Sequence, residues 1–225
     1  HQSADTVSFV LTSLDGSPLP TFRPGQYLSV GVKLPDGARQ IRQYSLSSAP
    51  TKGDWRITVK RVRETTGPDG TVIPAGEVSN FLYANLFEGD ELQVTTPFGD
   101  LVLTDGEAPI LLASAGIGCT PMIGILDHLA GAGDDRPVSV IHADRSVADH
   151  AHRRELETLV EKLPQAQVFR WYEDLGAREP LETVRVGRAD ISDLPLDPNT
   201  QAYLCGPLPF MLSLREALIE RNVPA

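Results

Sequence analysis

The sequence predicts two domains in tandem: an antiparallel β-barrel, then an α/β domain built on a parallel sheet. Three observations carry this reading. The first hundred residues are short runs rich in Val, Ile, Leu and Thr, divided by turn signals such as PDG and DG. From about residue 108, continuous apolar runs alternate with helical patterns, which means βαβ units. Between the two, "TDGEA" at 104–108 marks the change, so the division is drawn as 1–106 and 107–225.

Taken in order, "VSFVLTSL", "GQYLSVGVKL", "IRQYSLSS", "DWRITVKRV" and "DELQVTTP" read as barrel strands. "GEVSNFLYANL" breaks the series: Val78, Phe81, Leu82 and Leu86 recur at helical spacing, with Ser79 or Asn80 as cap. "GPDGTVIPAGE" reads as a long loop with room for a short hairpin. In the second half "PILLASA" is apolar throughout, as a strand buried on both faces must be. The helix "PMIGILDHLAGAG" follows, with Pro121 tolerated in its first turn. Strand "PVSVIHA", helix "DHAHRRELETLVEKL", strands "AQVFRWYE" and "QAYLCG", and helix "PFMLSLREALIER" complete the domain.

Composition narrows the function. With 225 residues, 41% of them hydrophobic, the chain is long enough to bury a sizeable core. A net charge of −10 and a pI near 4.9 argue against nucleic acid, whose phosphates want a basic face. No apolar run approaches the roughly 20 residues of a membrane span, and "HQSADTVSFV" is not a signal peptide. Two cysteines in a chain of this length fit a reducing compartment, so a cytoplasmic location is expected, with no membrane partner. No metal is expected, since neither HExxH nor CxxC occurs.

Three stretches carry chemistry. "SAGIGCTPM" ends a buried strand in a glycine turn that opens a helix, so amides and a helix N-terminus face one point. This is GxGxxP rather than GxGxxG, and alone a ligand-free glycine turn explains it nearly as well. "YLCGPLPFM" places Cys205 and Gly206 at the carboxyl edge of the last strand, where open α/β folds bind ligands; a core cysteine is the commoner fate of such a thiol. "RQYS" sets Arg42 and Tyr44 on one face of a strand and Gln43 and Ser45 on the other. A guanidinium suits a pyrophosphate, a phenol a ring and a hydroxyl a single hydrogen bond, yet an exposed polar strand fits these residues equally well.

Order and spacing break the tie. RQYS at 42, GEVSN at 76, GIGCTPM at 116 and CGPLPFM at 205 occur in one chain on the expected elements. With "RPGQYLSV", "RITVKR" and "PFGDL", this sequence resembles the ferredoxin–NAD(P)+ reductase-like family over nearly its whole length, and within it the reductase part of the flavohaemoglobins. The resemblance implies an FAD-binding barrel followed by a domain for NADH or NADPH. It implies that Arg42 holds the FAD pyrophosphate, that Tyr44 packs on the flavin–ribityl region and that Ser45 bonds the hydride-accepting edge. Tyr27 and Gln43 join that grip, and Gly76, Val78 and Ser79 offer amides and a hydroxyl to the pyrophosphate. Gly116, Ile117, Gly118, Cys119, Thr120 and Pro121 would hold the nicotinamide nucleotide, with Cys205, Gly206, Pro207 and Met211 lining its nicotinamide end. Ser45, Tyr44 and Cys205 would stand nearest the reacting atoms.

The implied activity is hydride transfer from NAD(P)H to FAD, with electrons passing to a globin domain, as in nitric oxide dioxygenase. Other acceptors remain open: a ferredoxin, an oxygenase component or free flavin. A redox-dead scaffold is the third alternative, and the intact motifs weigh against it. The family's globin domain is not in these residues, and "ERNVPA" stops short of the family's last strand with its flavin-covering aromatic residue. His1 in place of Met is expected to mark a fragment, a processed chain or a tag remnant. The loop from Glu64 to Ala75 is long for the family, and Cys119 reads as packing. Asp144 would repel a 2′-phosphate and Arg145 attract one. His142, His150 and His152 read as a solvated loop and helix start, and "RRELETLVEK" as a charged solvent face.

Overall fold

Alternating apolar and polar residues build strands that bury one face, and the first half of the chain follows this rule. The computed structural model describes residues 1–67 and 69–223. In it, β1 (Thr6–Leu11), β2 (Tyr27–Lys33), β3 (Arg39–Ser45) and β4 (Trp55–Lys60) carry the barrel. Leu28, Val30 and Val32 alternate inward along β2 and meet Ile57 and Val59 of β4 in one core. Two strands of two residues follow as a hairpin, β5 (Thr65–Thr66) and β6 (Val72–Ile73); Pro68, within its loop, lies outside the described residues. Helix α1 (Glu77–Asn85) closes the barrel with Val78 and Leu82, and β7 (Gln93–Val94) pairs with β2. All pairings here are antiparallel, and the Leu46–Ile57 bridge links β1-β4 to β3-β2-β7. β3 ends its sheet, so its outer edge has no strand partner among the described residues before that bridge.

The second half is a five-stranded parallel sheet. β8 (Ile110–Ala115), α2 (Cys119–Ala132), β9 (Val138–Ser146), α3 (Arg153–Glu161), β10 (Ala166–Asp174), β11 (Val184–Val186), β12 (Gln201–Cys205) and α4 (Leu208–Glu220) follow in chain order. The spatial order is β11-β10-β9-β8-β12. The chain therefore reverses direction across the sheet between β8 and β12, which makes a switch point at their carboxyl ends. α2 and α3 pack on one face through Met122, Ile125, Leu126, Leu156 and Leu159, and α4 covers the other through Leu214 and Leu218. No helix among the described residues is long and apolar enough to cross a membrane.

Several expectations need adjustment. The strand read at 90–97 shrinks to two residues: after Val94 the Ser29 amide donates to the Thr95 hydroxyl in place of its carbonyl, and Pro97 has no N–H for the ladder; pairing resumes when Phe98 exchanges two backbone bonds with Tyr27. β11 escaped the sequence reading, since three residues carry too little pattern. The helix read at 149–163 starts only at Arg153, because His152 is left-handed with φ 59°. Neither Ser79 nor Asn80 caps α1: Gly76 is the N-cap, and both side chains donate instead to its carbonyl.

Candidate active site

Two clusters of site residues form on β3, one on each face. In the antiparallel register Tyr27 stands opposite Ser45, and Val30 opposite Arg42. Gln43 Nε2 donates to the Tyr27 hydroxyl at 3.3 Å, and the Tyr27 ring lies 4.4 Å from that of Phe98. On the other face Arg42 donates to Ile41 O and Gln40 Oε1, both at 2.8 Å, and meets no carboxylate among the described residues. Tyr44 packs against the barrel core, and burial pushes its phenol up to about 12, so it remains a donor.

Near Arg42, Gln40 bonds Glu77 in the first turn of α1. No side chain caps that helix, so its first amides point outward with the positive end of the helix dipole. The Ser79 hydroxyl is occupied locally: it donates to Gly76 O and accepts from Val62 N. The uncapped turn, the exposed guanidinium of Arg42, which has no carboxylate partner among the described residues, and the edge of β3 with no strand partner among them together fit a pyrophosphate-bearing cofactor.

At the switch point, Ala115 leads into a tight turn over Gly116–Gly118. A Cβ on Gly118 would lie 2.6 Å from Cys205 C and 2.9 Å from Gly206 N, so only glycine lets the two motifs touch. Cys119, Thr120 and Pro121 are buried, which limits their offer to backbone groups. Cys119 Sγ reaches Ala151 O at 3.7 Å, and burial pushes the thiol up to about 12, the inert packing residue expected. Cys205 is half-buried and burial raises its thiol too.

A cleft of about 940 Å³ opens here between the domains. Gly116, Ile117, Pro207 and Phe210 line one wall; Asp5, Lys60, Arg61 and Arg63 come from the barrel; Arg145 and Arg188 flank it. Of the residues singled out in the sequence, Gly116, Ile117, Asp144, Arg145 and Pro207 line this cleft, whereas Tyr27, the β3 residues, α1, the rest of the turn from Gly118 to Pro121, Cys205, Gly206 and Met211 do not. The sequence reading places Lys60 and Arg61 on a barrel strand and gives Lys60, Arg61 and Arg63 no part in the site; the cluster of cations in "KRVR" at the end of that strand was the available signal.

The three histidines contradict the solvated reading: His142, His150 and His152 are each at most 3% exposed. His142 stacks on His150 at 3.7 Å and contacts Ser114 Oγ at 2.9 Å; His150 bonds the Tyr172 hydroxyl at 2.7 Å. Burial lowers both imidazoles, which favours the neutral rings. Among the described residues no group of three or more His, Cys, Asp or Glu is arranged to hold a metal. Asp144 also turns inward, with Oδ1 accepting from Arg145 N at 2.8 Å and Oδ2 lying 3.6 Å from His142 Nε2. Burial works to raise its carboxyl, but His142 and the charge of Lys60 outweigh that and hold it low. Arg145 faces solvent and pairs with Asp149 at 3.1 Å.

Known families match both halves. Residues 2–103 match the oxidoreductase FAD-binding domain, and residues 112–216 match the oxidoreductase NAD-binding domain. A crystal structure of the flavohaem-like FAD/NAD-binding domain of nitric oxide dioxygenase from Vibrio cholerae is similar to the whole chain. The likeness covers 100% of this chain and 90% of that one, at 34% identity and a TM-score of 0.87. The chain belongs to the flavohaem-like FAD/NAD-binding domains. As a member of that family, this reductase domain is an FAD-dependent NAD(P)H oxidoreductase. The flavohemoprotein of Bordetella pertussis is 41% identical over 99% of the chain, and that of Deinococcus radiodurans 39% over 100%. The chain spans about half the length of these relatives, 55% and 54%. A Malassezia yamatoensis flavohemoglobin crystallised with FAD and heme is 29% identical, with a TM-score of 0.81.

Proposed function

We propose that this reductase domain delivers electrons from NAD(P)H to a haem-globin, as the reductase half of a nitric oxide dioxygenase working in the cytoplasm. The observation behind this reading is the interdomain cleft at the switch point, with the unpartnered edge of β3 on the adjoining domain. The likeness to flavohemoproteins supports the globin as acceptor. The matched ranges, which end at 103 and resume at 112, support a domain division at residues 106 and 107.

FAD held at this site would supply hydride acceptance and onward electron transfer. The chain's residues bind and orient. Arg42 and the first-turn amides of Val78 and Ser79 hold the pyrophosphate, while the Gly76 amide already donates to Val62 O at 2.9 Å. Tyr44, Tyr27 and Gln43 frame the ring system, and Ser45 supplies one hydrogen bond at its reactive edge. The turn from Gly116 to Pro121 receives the nicotinamide nucleotide by backbone groups, and Cys205, Gly206, Pro207 and Met211 border the nicotinamide end. No acid or base is required of the protein, since a hydride moves without a separate proton.

Anaerobic NADH added to the FAD-loaded protein should bleach the flavin bands. A globin mixed in should then show its haem reduced. Arg42→Ala should purify with little FAD; a fully yellow variant would refute the assigned grip.

A further inference from the structure

We propose that His152 is a positioning residue for hydride transfer, locking the α/β domain onto the barrel at the root of the flavin strand. The inference rests on the reductase reading above and extends it to a residue outside the cleft.

His152 belongs to the α/β domain but its ring points into the barrel. It is 2% exposed and left-handed, at φ 59° and ψ 14°, a conformation that costs a β-substituted residue energy and persists only where surroundings impose it. Both of its ring nitrogens are engaged. Nδ1 donates to Glu155 Oε2 at 2.7 Å, since a carboxylate can only accept. Nε2 lies 2.9 Å from Thr58 Oγ1 on β4. Thr58 Oγ1 also lies 2.9 Å from Ser8 Oγ and 3.1 Å from Ser47 Oγ. One donor and two lone pairs are then all engaged, so the hydroxyl has no slack.

Glu155 extends the lock. Its Oε1 accepts from Arg56 at 2.6 Å, and the same guanidinium donates to Ser47 O and, at 3.2 Å, to Ser47 Oγ. Ser47 lies two residues beyond Ser45, and Ser47, Ser48 and Ala49 are at most 2% exposed although they form no strand. From the other side α2 holds the same stretch: Asp127 Oδ2 accepts from Ala49 N at 2.8 Å. The segment continuing the flavin strand is thus clamped between α2 and the start of α3. Rotation of one domain against the other would shift Ser45 relative to Gly116–Gly118. Hydride transfer is steep in such displacements, about 100-fold for roughly 1 Å.

The test uses FAD-loaded protein, with His152→Ala in one domain and Thr58→Val, nearly isosteric, in the other. Stopped-flow reduction by NADH should show the limiting rate constant falling about 10- to 100-fold in each. Half-saturating NADH and FAD content should stay within about twofold, because the lock touches neither ligand. The double variant should be no slower than the slower single one, the mark of one shared interaction. Without cofactor, amide exchange at Ser47–Ala49 should quicken in His152→Ala. If that variant does not fold, His152→Asn keeps the left-handed backbone and loses the Thr58 bond. An unchanged limiting rate in folded variants overturns the proposal, as do multiplicative losses in the double variant or a change confined to NADH half-saturation. A wild type that NADH does not reduce overturns the reductase reading itself.

Discussion

Gly124 and Gly131 lie in the same helix, α2, yet replacing each by Ala should have opposite effects. A Cβ on Gly131 meets nothing within 4 Å. There Ala gains helix propensity, up to about 1 kcal/mol. A Cβ on Gly124 would stand 2.6 Å from Leu46 O and 3.5 Å from Ser48 O, in the buried stretch after the flavin strand. A backbone carbonyl cannot swing away as a side chain can, so α2 and the barrel must separate. Overpacking typically costs about 1–3 kcal/mol, and a clash with fixed backbone falls in the upper part of that range, about 2–3 kcal/mol. Offset by the propensity gain of about 1 kcal/mol, it leaves a net loss of about 1–2 kcal/mol. For a chain of 225 residues each kcal/mol moves Tm by about 2–4 °C. Thermal unfolding followed by circular dichroism on FAD-loaded protein should therefore show Gly131→Ala up by about 2–4 °C and Gly124→Ala down by about 2–8 °C. A Gly124→Ala protein melting at or above wild type would refute the tight docking of α2 on the barrel.

Two further outcomes follow from the titrating groups. Burial works to raise the Glu155 carboxyl, but His152 and Arg56 outweigh it and hold it at about 2. Its folded value lies below the unfolded one, so its stabilisation is full above about pH 5 and fades as pH falls toward 2. Glu155→Gln should melt below wild type at pH 7, with the gap narrowing as pH is lowered; a gap that widens on acidification would contradict the pairing. Cys119 is fully buried with its thiol pushed up to about 12, so a disulfide reagent at pH 8 should label at most Cys205 in the native protein and both cysteines in urea. Rapid reaction of two thiols in the native state would show the packing to be wrong.

The architecture was legible because local periodicity encodes it. Period-two alternation in "YLSVGVK" and the unbroken apolar run "ILLASA" each state how many faces their strand buries. The glycine turn after β8 announced itself by residue type, since few residues tolerate such a turn before a helix. The family resemblance rested on ordered motifs of this kind. His150 and His152 sit in a polar stretch whose local pattern signals a solvated loop, while their burial comes from β10 and the barrel. "RRELETLVEK" misled for the same reason: its Glu155 looks like any helix-surface charge until Arg56, 99 residues earlier, arrives beside it.

The sequence by itself determined the two kinds of domain, their order and the chemistry-bearing stretches, because each depends on residues close along the chain. Only the tertiary structure decided the strand order β11-β10-β9-β8-β12 that brings Gly118 onto Cys205, and the clamp of α2 and α3 on the segment following Ser45. Both depend on contacts between residues far apart in sequence, and the side chains that make them carry no local pattern to reveal what they will meet.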